Sequence, residues 1–358
     1  MNEKYKYLVS GAASELYPAE TFFGLLYYNQ DDVIEIPKEY PFHKQWGYPQ
    51  SFHMMEEEEN PLPKKLDAVW LSLVEGKFYS IIHEMPVEKM KELFQTWDDK
   101  ANEPLYEFII FGMAPYGGAA LWLFGNKKSV ILDWLHAEEV RVDMKDFSPL
   151  DKNVTLIDYC DTYINNDEAV RENLEVNGLP PRHLFDKYMQ QFCYRYLPLF
   201  QQWDEDEQQW KRPKTETEGD VDKDLQPELD FIEEALYDGT HDKLHDGSLL
   251  SYHLAGKPKK LAVQWHIKKS EYSAYLWLDD ESICEAFERF YGAHRDTKVD
   301  IIIRIDSEKK KLELALYRYG LKEPVVINED AYQMIVFKNK FEYYRSENYD
   351  QPRGAWIW

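Results

Sequence analysis

Cysteine is scarce here: three in 358 residues, at Cys160, Cys193 and Cys284. The number is odd and no Cys-x-x-Cys spacing occurs, which excludes a secreted disulfide framework and a cysteine-based structural zinc site. Long apolar runs are missing as well. None approaches the roughly 18–20 residues of a membrane-spanning helix, and the first nine residues hold no apolar core of signal-peptide length. Positive charge is short, with 42 Lys and Arg against 66 Asp and Glu, a net −24. Such a field repels nucleic acid and anionic lipid, so neither is expected as a partner. The expectation is a soluble, reduced, cytoplasmic protein with no metal and no cofactor.

Catalytic signatures are also wanting, and no catalytic residue is nominated. There is no Gly-x-Ser-x-Gly elbow for a serine nucleophile. Gly112-Met113-Ala114-Pro115-Tyr116-Gly117-Gly118 is glycine-rich. A phosphate loop, however, leads into a helix N-terminus, and here a strand pattern follows without Gly-Lys-Ser/Thr, so a structural turn is expected. His241 and His245 have i, i+4 spacing, but the Glu of a His-Glu-x-x-His site is absent, and Gly239 and Gly247 mark a turn. Cys193, near His183 in sequence, falls in an apolar stripe and reads as core. Asp279-Asp280 could serve acid–base chemistry, yet one of them is more simply a helix cap.

Aromatic and strand-forming segments are abundant, and some recur. Pro63-Lys64-Lys65-Leu66 with Trp70 returns as Pro258-Lys259-Lys260-Leu261 with Trp265, an offset of 195. The same offset relates Ala120-Leu121-Trp122 to Ala315-Leu316-Tyr317 and Val130-Ile131-Leu132 to Val325-Val326-Ile327. Two blocks in one register predict a duplicated unit, with a period too long for a solenoid. Each copy reads strand–strand–helix–strand–strand–strand. In the first, Glu75-Gly76 marks a hairpin turn and Val87, Met90, Leu93, Phe94 and Trp97 share a helical face.

Between the copies, Leu184, Phe185, Tyr188, Met189, Phe192, Cys193 and Tyr196 suggest an amphipathic helix ending near Pro198. A second helix is expected from Pro227 to Tyr237. Asp204 to Asp246 carries 16 acids and 5 bases, the sharpest charge asymmetry in the chain. The predicted fold is α+β: two related halves, each a mostly antiparallel sheet with one packed helix, joined by a helical acidic insert. Short turns between successive strands favour antiparallel pairing. The expected domains are 1–150, the insert 151–247, and 248–358. The terminal Trp356 and Trp358 are expected to dock into the second half, or to anchor a partner.

Leu62-Pro63-x-x-Leu66-Asp67 with Trp70, then Lys77-Phe78-Tyr79 and a Pro86 helix, is similar to an uncharacterised bacterial domain-of-unknown-function family. Gly112–Gly118, Trp122-Leu123, Gly125 and His136-Ala137-Glu138-Glu139 follow that family's order, as do Tyr17-Pro18-Ala19-Glu20 and Trp46-Gly47. The resemblance covers roughly residues 15–142. It implies no assigned activity. Many members look like lipoproteins, and related two-part acidic proteins look like antitoxin partners of secreted antibacterial toxins.

The leading functional expectation is a non-enzymatic binding protein, an immunity protein that covers a basic toxin domain. Trp203, Asp204, Glu205, Asp206, Glu207, Trp210, Asp220, Asp222 and Asp224 are its expected contact residues: acids to steer, tryptophans to anchor. The rivals are a hydrolase with an acidic site between the halves, and a module that binds a small ligand through its aromatic strands.

Overall fold

The computed structural model describes residues 3–349 apart from 30–31, 39–41, 43–44, 53–58, 99–101, 151–152, 205, 208, 212–227, 293–296, 307–311, 321, 323 and 347. The architecture is α+β with mostly antiparallel sheets. Trp356 and Trp358 lie outside the described residues. Among the described residues no helix is long and apolar enough to cross a membrane. The chain divides into two compact units, one of residues 1–189 with Asp238–Thr240, the other of 190–237 and 241–358.

In the first unit, β1 (Leu8–Ala13), β2 (Ala19–Tyr27), β3 (Val33–Glu35) and β4 (Ser51–Phe52) precede β5 (Lys65–Ser72), β6 (Lys77–Glu84) and α1 (Val87–Phe94). Then come β7 (Phe108–Met113), β8 (Gly118–Phe124), β9 (Ser129–His136) and β10 (Glu138–Val140). Two five-stranded sheets result, ordered β9-β8-β7-β1-β4 and β10-β6-β5-β2-β3. Pairing within them is antiparallel except where β7 runs parallel to β1, Phe108 beside Leu8. Strand periodicity explains the layers. Ile109, Phe111 and Met113 join Val9, Leu66, Trp70, Leu121 and Leu123 in one core. Ile110 and Ala114, of opposite parity, pack with Trp46, Trp122 and Phe185. Val69, Leu71 and Phe78 form a third cluster with Cys160. The central strands β7 and β8 are thus buried on both faces, which is why they read as nearly unbroken apolar runs. The helices α2 (Met144–Phe147), α3 (Leu156–Asn166), α4 (Glu168–Asn177) and α5 (Leu184–Tyr188) close the unit.

The second unit opens with β11 (Phe192–Asp204), β12 (Gln209–Lys211), β13 (Glu228–Leu236), β14 (His241–Leu244), α6 (Asp246–Leu249) and β15 (His253–Ala255). It continues with β16 (Pro258–Ile267), β17 (Ser270–Leu278), α7 (Asp280–Tyr291), β18 (Val299–Asp306), β19 (Leu312–Tyr317), β20 (Val325–Val326), β21 (Tyr332–Lys338) and β22 (Phe341–Arg345). One sheet runs β12-β11-β18-β19-β20, with β15 also on β11; the other runs β14-β13-β16-β17-β21-β22. Again one pair is parallel, β11 with β18.

One expected helix is helical over Leu184–Tyr188 and strand from Phe192 on, and the other is strand throughout its described residues. Residues 192–204 form β11: Phe192, Tyr194 and Tyr196 are buried at every second position, and the aromatic alternation overrides the helical stripe. Residues 228–236 form β13, paired with β14 on one side and β16 on the other. That central position overrides helix propensity and buries Glu233 and Glu234. Among the described residues of the expected helical insert, helix is therefore confined to the stretch up to Tyr188 and to the start of α6, and 192–204, 209–211, 228–236 and 241–244 are strands.

Candidate functional site

Five of the nine expected contact residues are described, and all five meet in one hairpin. On β11, Arg195, Leu197 and Leu199 are half-buried while their neighbours Tyr194 and Tyr196 are buried. Period-two alternation puts Trp203 on the face of Arg195. Trp203 stands opposite Trp210 of β12, with ring centroids 5.3 Å apart at 64°. Asp204 shapes the connection. Its Oδ1 accepts the N–H groups of Asp206 at 3.1 Å and Glu207 at 3.0 Å, an Asx-type turn. Its Oδ2 accepts Lys211 Nζ at 2.5 Å, and Lys211 reaches Glu207 Oε1 at 2.8 Å. The Lys211 ammonium, aided by those two N–H groups, holds Asp204 below the ordinary carboxylate range. Glu205, Asp220, Asp222 and Asp224 lie outside the described residues.

The hairpin is tied to carboxylates distant in sequence. Trp210 Nε1 donates to Glu313 Oε2 at 2.9 Å, and Arg304 Nη1 donates to the same carboxylate. The Trp203 N–H donates to Asp306 Oδ1 at 2.8 Å. Further along β11, Arg195 Nε and the Tyr252 hydroxyl both donate to Asp300 Oδ1, at 2.7 and 2.8 Å. The Arg195 guanidinium also lies 4.6 Å from the Tyr252 ring centroid. Asp300, Asp306 and Glu313 are buried. Sequence reasoning missed this row. Its signal was available in Val299–Asp306, where Asp300, Arg304 and Asp306 keep one parity within an isoleucine-rich strand. The face offers two half-buried indoles and carboxylates that already hold donors.

The glycine-rich segment joins β7 to β8, two antiparallel strands, as expected of a structural turn. Tyr116 and Gly117 take left-handed φ angles of 59° and 74°. Glu75, in the β5–β6 connection, accepts the Tyr116 N–H and the Tyr79 hydroxyl, each at 2.8 Å, and the Tyr116 hydroxyl donates to Pro180 O at 2.9 Å. Space is closed: a Cβ on Gly117 would sit 2.7 Å from Ala137 O, and one on Gly118 2.5 Å from the Trp134 ring. Beside it, Asp186 accepts Trp134 Nε1 at 2.9 Å and faces His136 Nε2 at 3.3 Å and His183 Nδ1 at 3.0 Å. Burial pushes its carboxyl up, but Trp134 and His183 more than reverse this and leave it lowered. His241 lies in β14 and His245 precedes α6, so the two share no helical face. Among the described residues no group of three or more His, Cys, Asp or Glu is placed to hold a metal ion.

A family model described as "Protein of unknown function (DUF2931)" matches residues 2–180. The chain belongs to this family. No curated protein and no solved structure matches it. The DUF2931 segment spans both sheets of the first unit, the glycine turn, Glu75 and Pro180. The Trp203–Trp210 hairpin lies beyond its end.

Proposed function

We propose that this chain is a non-enzymatic protein-binding protein that takes a basic partner on the hairpin of β11 and β12. The observation that carries the reading is the Trp203–Trp210 pair, set at a sheet edge beside Asp204, Asp206 and Glu207. An edge strand has backbone groups open to a partner. Half-buried tryptophans make strong anchors, and a net −24 steers a cation-rich surface toward them. More narrowly, the protein is a cytoplasmic immunity protein that occludes an antibacterial toxin domain; the charge and the family resemblance support this. The test is deletion of the gene from its host, followed by challenge with neighbouring cells. Sensitivity should appear, be rescued by the wild-type gene, and not be rescued by a Trp203→Ala, Trp210→Ala double variant. A deletion strain as resistant as its parent overturns the immunity reading.

A duplicated scaffold is part of the proposal. Its support is the order of the main strands and of helices α1 and α7, which matches once β12, α6 and β22 of the second unit and the two-residue strands at 5–6, 59–60, 97–98 and 103–104 of the first are set aside: β1-β2-β3-β4-β5-β6-α1-β7-β8-β9-β10 beside β11-β13-β14-β15-β16-β17-α7-β18-β19-β20-β21. β1 pairs in parallel with β7, and β11 with β18. Trp70 faces Tyr79 across one hairpin as Trp265 faces Tyr272 across the other. The connection between those strands has four residues in the first unit, including Glu75, and two in the second, Lys268 and Lys269. The first copy can therefore support the glycine turn through Glu75, whereas the second carries the hairpin β12.

A further inference from the structure

The interior of the second unit holds a carboxylate with no cation on its own strand. Glu234, on β13, has a side chain 1% exposed. Its Oε2 lies 2.6 Å from the Tyr196 hydroxyl and 3.1 Å from that of Tyr194, both on β11, in the other sheet. Its Oε1 has no hydrogen-bond partner among the described residues, and neither does His253 Nε2, which faces it at 3.4 Å. The other ring nitrogen, His253 Nδ1, points at the Ser251 carbonyl oxygen at 3.3 Å. Both imidazole nitrogens thus face acceptor oxygens. A neutral imidazole has one N–H and must turn a lone pair toward one of them. The arrangement is satisfied only when one extra proton sits on the pair, on His253 Nε2 or on Glu234 Oε1.

The geometry points to a pH-operated clasp: Glu234 and His253 share one proton, which ties strand β15 to β13 in the opposite sheet and releases β15 when it is lost. β15 is a three-residue strand held to β11 through Phe192–Tyr194; its Leu254 is exposed, while Ala255 is buried and Gly256 O accepts the Tyr194 hydroxyl at 2.8 Å, so His253 and Leu254 are the end free to open. The groups around His253 favour the proton. Glu234 approaches from β13 and Asp242 acts on it from β14, while the Tyr194 ring of β11 packs edge-on at 4.9 Å. Burial pulls the imidazole pKa down, and Glu234 more than reverses this, so the group titrates above its ordinary 6.5. The sign follows: the clasp is fully closed below pH 6.5 and opens as pH rises through the elevated pKa. Loss of the proton leaves the ring with one N–H for two acceptor oxygens, so either the Glu234 carboxylate or the Ser251 carbonyl faces a lone pair, and local opening of β15 relieves it.

The experiment is amide hydrogen exchange of the full chain across pH, corrected for intrinsic rates, with the His253 ring followed by NMR. Protection at His253 and Leu254 should fall about tenfold or more across the His253 titration, itself centred above 6.5. Glu234→Gln should abolish the step. His253→Gln, whose amide can donate to Glu234 without titrating, should hold protection constant with pH. If Glu234→Gln does not fold, wild type and His253→Gln decide the matter. A His253 that titrates below 6.5, protection indifferent to pH, or a step that survives in His253→Gln overturns the clasp.

Discussion

Gly117 and Gly247 differ in what a methyl group would meet. At Gly117 the backbone is left-handed and a Cβ would press on Ala137 O; at Gly247 nothing lies within 4 Å. Gly117→Ala should destabilise by about 2–4 kcal/mol, the strain of the conformation plus the clash, while Gly247→Ala should stay within about 0.5 kcal/mol. Urea unfolding of the two variants checks the contrast. The cysteines give a second prediction at this scale. Burial pushes the thiols of Cys160 and Cys284 up to about 12. Because only the thiolate reacts, iodoacetamide at neutral pH should modify both about 100-fold more slowly in the native protein than in urea, by mass spectrometry.

Among the elements, α7 shows what a sequence declares openly. Asp279 accepts the Ser282 N–H at 3.0 Å, Ile283 and Phe287 are buried at helical spacing, and Gly292 ends the helix. Asp279→Ala should cost about 0.5–2 kcal/mol, the usual value of a lost cap, measured as a shift in urea midpoint. The α5 segment tests a titration. Asp186 has a lowered pKa, so its stabilising contribution is full above the unfolded value of 3.8 and is lost as pH falls through the lower folded value. Asp186→Asn should flatten the acid limb of the stability profile. Both hairpins, α1 and α7 were legible because periodicity and caps are local. β11 and β13 were not. Pro-Arg-His-Leu-Phe-Asp-Lys-Tyr begins a true helix, and nothing local says that Phe192 opens a strand. The decision lies with β18, a hundred residues later.

For the whole molecule, a basic partner should feel the net −24. Its association rate should fall about tenfold or more between low and physiological salt, with little change in dissociation, by stopped flow. The candidate site was half legible. Trp203 and Trp210 and their acids stand close in sequence, and the Asx turn follows from Asp204. Glu313, Arg304 and Asp306 were out of reach, because their place beside the tryptophans depends on register across four strands.

The parallel pairing of β1 with β7 also sets a timetable. Leu8 cannot meet Phe108 until about a hundred further residues have left the ribosome, which takes roughly 5–20 s at ordinary elongation rates. Through that interval β1 waits with an open edge, a nascent-chain hazard that chaperones exist to shield. The same delay recurs between Tyr194 and Val299. Synthesis of this chain therefore contains two vulnerable windows in succession.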